Sequence, residues 1–144
     1  MGKTSFSGPA YGAQGTLYSG QLSAFSSGAI STVIGRIVVP VGQDWFATDF
    51  DVARQSTGST GLGLAVYDDG TVISSIVLNS SLADASSVAE ITPDGGEYAG
   101  TRIAAGSTVT FRAVQGSSSP ASSGLYFNLC GYVRYVASTR NAPL

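Results

Sequence analysis

The chain has 144 residues, of which 43% are hydrophobic and 11% charged, with a net charge of −2, a single cysteine and no histidine. A domain of this length buries roughly 68–70% of its unfolded surface and holds together without metal or disulfide. The missing histidine removes every Ser-His-Asp or Cys-His arrangement and the usual zinc sites, and the seven basic residues, Lys3 being the lone lysine, are too scattered to bind nucleic acid.

Charged residues make up about 25% of an ordinary globular domain, so this surface is built instead from Ser, Thr, Gly and Asn. Such a skin steers weakly and resists association weakly, which favours neighbouring protein surfaces as partners. No apolar run approaches ~18 residues, and Met1 to Ala10 lacks the apolar stretch of a secretion signal. The expectation is a soluble protein with no membrane partner, made without export through the general secretory route.

Residues 1–30 are rich in Gly and Ser, with Phe6, Tyr11, Tyr18 and Phe25 dotted through them. A plain tether needs no aromatics, whereas an arm lying along another surface uses them as anchors, so this segment reads as an extended N-terminal arm. Ser31 to Val39 is a strand ended by Pro40 and a turn at Gly42. Trp45 to Arg54 is the next strand. Strict alternation there groups Phe46, Thr48, Phe50 and Val52 on one parity and Trp45, Ala47, Asp49 and Asp51 on the other. A Gly/Ser/Thr loop at 55–61 follows.

Leu62 to Tyr67 and Thr71 to Leu78 flank Asp68-Asp69-Gly70, and an Asp-Gly pair between apolar runs is the strongest short hairpin signal. Asn79 to Ala89 has Leu82, Ala85, Val88 and Ala89 at helical spacing among serines, which fits a short helix or a crossing loop. After a turn at Pro93-Asp94-Gly95-Gly96 come a short strand at Tyr98 to Ile103 and an alternating one at Ser107 to Val114, with Val109, Phe111 and Ala113 inward. A loop at 115–123 leads to Gly124 to Val136, where Leu125, Phe127, Leu129, Val133 and Tyr135 share one parity. Cys130 lies within this strand as a buried thiol rather than a reactive one. Seven or eight strands with almost no helix predict an all-β fold, a jelly-roll-like antiparallel β-sandwich at 31–138, with the arm before it and a short tail at 139–144.

Chemistry has few carriers. Asp49 and Asp51 on one strand face are a carboxylate pair of the kind a glycosidase uses, or solvated acids on an outer face. Asp68, Asp69 and Asp94 already serve turns, and none has the alternating acidic spacing of a calcium loop. No metal or cofactor is expected. Trp45, Tyr67, Tyr126 and Tyr132 remain, either as packing or subunit contacts or as a platform on which sugars stack.

The box Lys3-Thr4-Ser5-Phe6-Ser7-Gly8-Pro9, with Ala105-Gly106-Ser107-Thr108-Val109-Thr110-Phe111 and the later Gly131-Tyr132-Val133-Arg134-Tyr135, resembles the head decoration, or cement, proteins of tailed bacteriophages. The resemblance covers the two ends and leaves Gln14 to Ala104 unmatched. It implies a non-enzymatic β-domain, made in the host cytoplasm and carried on the outer surface of the virion. Its partner would be the major capsid protein, and its form a homotrimer clamping adjacent capsomers. Phe6, Pro9 and Tyr11 are then the candidate arm contacts. The alternative is a carbohydrate-binding jelly roll of a virion surface or tail, using Trp45, Tyr67 or Tyr126.

Overall fold

The computed structural model describes residues 15–22, 33–54, 62–78, 86–93, 95, 100–115 and 125–135. The arm residues Phe6, Pro9 and Tyr11, the loop at 55–61, residues 79–85, the loop at 116–123 and the tail at 139–144 lie outside them. Nine strands are present and no helix among the described residues: β1 (Gly15–Leu22), β2 (Val33–Val38), β3 (Gln43–Arg54), β4 (Leu62–Asp68), β5 (Thr71–Leu78), β6 (Ser86–Glu90), β7 (Thr101–Ile103), β8 (Thr108–Gln115) and β9 (Leu125–Tyr135).

They form two sheets. One has the order β1-β9-β3-β6, with β7 also on β3, and the other the order β2-β8-β4-β5. Every pairing is antiparallel. β9 lines one side of β3 along its whole length, while β7 opposes Trp45–Ala47 and β6 opposes Asp49–Ala53 on the other side. β6 and β7 are thus two halves of one interrupted strand. Counted as one, eight strands lie in the orders 1-8-3-6 and 2-7-4-5, the double Greek key of a jelly roll.

The inward positions of both sheets meet in one core. Phe50 and Val52 of β3, Leu64 and Val66 of β4, Phe111 of β8, and Leu125, Phe127 and Leu129 of β9 are all buried within it. Its centre is aromatic: Phe111 and Phe127 have ring centroids 4.9 Å apart, and Tyr18 of β1 stacks on Phe111 at 5.1 Å. Fully burying one such side chain is worth about 1.5–3 kcal/mol, so these rings are what clamps the sheets together.

One end of the sandwich is closed by three short turns. Asp69 (φ 47°) and Gly70 (φ 92°) adopt the paired left-handed conformations of a type I′ turn, as the Asp-Gly signal required. Gln43 N–H donates to Pro40 O (3.1 Å), and Ser107 N–H to Ala104 O (3.0 Å). These turns are laced to each other: Val39 N–H donates to Ser107 O, Gly106 N–H to Val39 O, and Asp69 N–H to Thr108 O, each at 2.9 Å. Asp69 Oδ1 in turn accepts from the Thr108 N–H (2.8 Å).

Three expectations change. First, β3 does not alternate strictly. Ala47 faces Gly131 and Asp49 faces Cys130, so Thr48 is an extra residue, a β-bulge that reverses the parity of everything after it. Trp45 and Ala47 therefore point inward with Phe50 and Val52, and Phe46 joins Asp49 and Asp51 on the outer face. Second, Ser86–Glu90, read as helix or crossing loop, is strand β6, because its alternating exposure matches the pleat of β3. Third, the sandwich reaches into the segment assigned to the arm: Gly15–Leu22 is an edge strand paired with β9, Gly15 opposite Gly131 and Leu22 opposite Leu125.

Candidate functional site

The outer face of the five-stranded sheet carries most of the polar chemistry, in three zones along β3 and β9. Nearest the short turns, Asp44 and Arg134 are cross-strand neighbours, as are Phe46 with Tyr132 on one side and with Arg102 on the other. Asp44 is only 3% exposed. Its Oδ2 accepts from Arg134 Nη2 (2.7 Å) and Arg102 Nε (3.0 Å), and its Oδ1 from the Ala105 N–H (3.3 Å). Arg134 also lies over the Phe46 ring, 5.5 Å from its centroid. Burial by itself would raise the Asp44 carboxyl, but the bonds from Arg102, Arg134 and Ala105 outweigh it and hold the group below its ordinary value. This is a pin joining β3, β7 and β9, and its partners are already engaged.

The middle zone surrounds the bulge. Thr48 Oγ1 donates to Asp49 Oδ2 (3.0 Å) and to Cys130 O (3.3 Å), and the Ile91 N–H donates to Thr48 O (2.8 Å), so the Thr48 and Cys130 carbonyls at the bulge both have partners. Cys130 is half-buried on this outer face, with its Sγ 3.9 Å from Asp51 Oδ2. Burial and then the charges of Asp51 and Asp49 push the thiol up, which keeps it protonated and unreactive at neutral pH. Asp51 is itself raised, by burial first and then by Asp49, and its Oδ1 is buried without a hydrogen-bond partner. Asp49 and Asp51 do share a face, but one is held by Thr48 and the other is turned onto Cys130.

At the end away from the short turns, Ser19, Gly20 and Gln21 of β1, Tyr126 and Asn128 of β9 and Ala53 of β3 line an open groove of about 570 Å³. Tyr126 is 47% exposed there. A second hollow, of about 480 Å³, lies between the β4–β5 turn and the start of β8, and includes Asp68, Asp69, Thr71 and Ser107. Burial and the neighbouring Asp69 raise the Asp68 carboxyl, and its Oδ1 is buried without a partner. No group of three or more His, Cys, Asp or Glu able to hold a metal occurs among the described residues.

The four aromatics offered either as packing or subunit contacts or as a sugar-stacking platform are dispersed. Trp45, which strict alternation grouped with Asp49 and Asp51, is 3% exposed in the core, turned inward by the Thr48 bulge, with its Nε1 donating to Gln43 Oε1 (3.0 Å). Tyr67 lies on the four-stranded sheet, with Arg112 5.8 Å from its ring centroid. Tyr126 and Tyr132 share the outer face of the five-stranded sheet, but six residues of strand, roughly 20 Å, separate them. The Asp44 pin has no local signature, since Arg102 and Arg134 reach it from 58 and 90 residues away. The groove is equally non-local; only the outward parity of Tyr126 and Asn128 signals it in the sequence.

No protein-family model matches the chain, and no curated protein matches it. Among solved structures the chain is similar to one described as nora virus structure, at 15% identity and TM-score 0.39, over 95% of this chain and 64% of that one. It is also similar to one described as the structure of infectious bursal disease virus Gx strain, at 14% identity and TM-score 0.38, over 91% of this chain and 37% of that one. The chain therefore spans less than two thirds of either.

Proposed function

We propose that the chain is a virion structural protein: a decoration, or cement, subunit bound to the outer surface of a tailed-phage head, working as a homotrimer that bridges capsomers of the major capsid protein. The observation that carries this reading is the place where the arm is rooted. The segment bearing Phe6, Pro9 and Tyr11 runs directly into β1, which is the edge of the five-stranded sheet and pairs only with β9 among the described residues. An edge strand presents a row of open N–H and C=O groups, the template for strand addition by a neighbouring chain. An arm that starts beside such an edge can place aromatic anchors on the partner that the edge engages. The resemblance of the Lys3 to Pro9 box and of the later strands to cement proteins supports the same reading.

In this role the protein performs no catalysis and needs no cofactor. It acts by linkage: a subunit that binds only the expanded, closed lattice stabilises it by RT ln(1 + [L]/Kd), about 2.7 kcal/mol per site when free protein is a hundredfold above Kd. Three arms per trimer raise the effective concentration at each site once the first is engaged.

The test is deletion of residues 1–12, followed by co-sedimentation with expanded phage heads. The shortened protein should keep a cooperative melt, because β1 begins at Gly15, and should lose head binding. Full binding after the deletion rejects the arm, and an intact chain that ignores heads rejects the decoration role.

A further inference from the structure

We infer that the groove between β1, β9 and β3 is a binding site for a neutral saccharide, with Tyr126 as the stacking surface and Asn128, Gln21 and Ser19 as hydrogen-bonding groups. The register builds it. Gln21, Tyr126 and Ala53 lie in one row across the three strands, and Ser19, Asn128 and Asp51 in the next row, about 7 Å further along. The small Ala53 beside Tyr126 leaves one flank of the ring uncovered. Gly20, between Ser19 and Gln21, has no side chain on the core side, where the Phe127 ring packs directly beneath it and supports the floor of the groove.

The lining selects the ligand by its chemistry. Among the described residues that line it, only the Tyr126 phenol is ionisable, so an ionic ligand would find no counter-charge among them. Two primary amides and a hydroxyl supply donors and acceptors together, which a purely apolar ligand would leave unsatisfied. A half-exposed aromatic ring beside mixed donors and acceptors matches a molecule with an apolar C–H face and a rim of hydroxyls, which describes a sugar ring. Asp51, directly opposite Asn128 on β3, and Asp49 beyond it place negative charge next to the groove and disfavour uronic and sialic acids. A peptide is better captured by the open backbone of the β1 edge than by the sheet face. The volume of about 570 Å³ falls within the roughly 300–1,000 Å³ of small-molecule sites.

The site stands independently of head binding, and either can fail without the other. The experiment is saturation-transfer NMR on the full chain with maltose, cellobiose, lactose and diacetylchitobiose, and with sialyllactose and glucuronic acid as charged controls, followed by titration of those that respond. At least one neutral disaccharide should bind. Tyr126→Ala should weaken it by roughly tenfold, the loss of one stacking contact, while Tyr126→Phe retains binding. Tyr135→Ala, which removes an exposed ring outside the groove, should leave affinity and melting temperature unchanged. Raising NaCl to about 0.5 M should alter the affinity little, since no ion pair is involved. Absence of saturation transfer from all four neutral sugars overturns the inference. So does equal affinity in a folded Tyr126→Ala variant, or binding confined to the charged controls.

Discussion

Asp44 and Asp51 lie on the same face of the same strand and respond to acid in opposite directions. Asp44 is buried but receives two guanidinium bonds, so its folded-state pKa is lowered. The stability it contributes is complete above an unfolded carboxylate's value of about 4 and is lost as pH falls further, through the lowered value. Asp51 is raised by burial and by Asp49, so its contribution has the other sign: stability grows as pH falls from neutral through the raised value. Urea unfolding of the parent between pH 7 and pH 3 should therefore show stability rising and then collapsing. In Asp44→Asn the loss at pH 7 should be about 1–3 kcal/mol, less than for a fully buried pair because the Arg102 side chain is 52% exposed. That deficit should shrink below about pH 4. Asp51→Asn should be more stable than the parent at pH 7 and show a smaller initial rise, the remainder coming from Asp68, whose carboxyl is raised in the same direction. A deficit for Asp44→Asn that is constant across the whole range would show that the ion pairs are not its cause.

At the scale of the element, the Thr48 bulge decides which face each residue of β3 occupies. Opposite it, Gly131 allows β9 to approach so closely that a Cβ there would lie against the Phe46 carbonyl. Gly131→Ala must push the two central strands apart, and should cost at least about 2–3 kcal/mol in urea or thermal unfolding. A loss below about 1 kcal/mol would mean that the close approach is relieved by small shifts. The bulge also marks where the sequence stops being legible. Val109, Phe111 and Ala113 of β8, Leu125, Phe127 and Leu129 of β9, and the Asp69-Gly70 turn follow local rules of alternation and turn chemistry, and the structure places them as those rules require. Trp45 does not, because one inserted residue changes no composition and leaves each half of β3 alternating by itself. Ser86–Glu90 hides for a different reason. Its short serine-rich pattern contains no strong strand former except Val88, and it becomes a strand only because β3 offers it a pleated edge. The Asp44 pin and the Tyr126 groove depend on register between segments far apart in sequence, which period and propensity do not encode.

Across the whole molecule, β9 is the strand the other elements await. It sits between β1 and β3, contributes Leu125, Phe127 and Leu129 to the core, and supplies Arg134 to Asp44 and Tyr126 to the groove. A chain ending before Leu125 would leave β1 with no described partner and β3 with one side bare, and should show no cooperative melt. Retention of a sharp thermal transition by that truncation would contradict the architecture. Gly15 pairing with Gly131 also makes this a fold of long-range contacts, expected to form in milliseconds to seconds rather than microseconds. The order in which a ribosome delivers the chain gives that topology a further consequence. The first eight strands are synthesised before the ninth, so the nascent polypeptide passes through a period with its two inner edges uncovered and Phe111 lacking the ring of Phe127. During translation this protein should be a client of holding chaperones, and its yield should depend on how quickly β9 clears the exit tunnel.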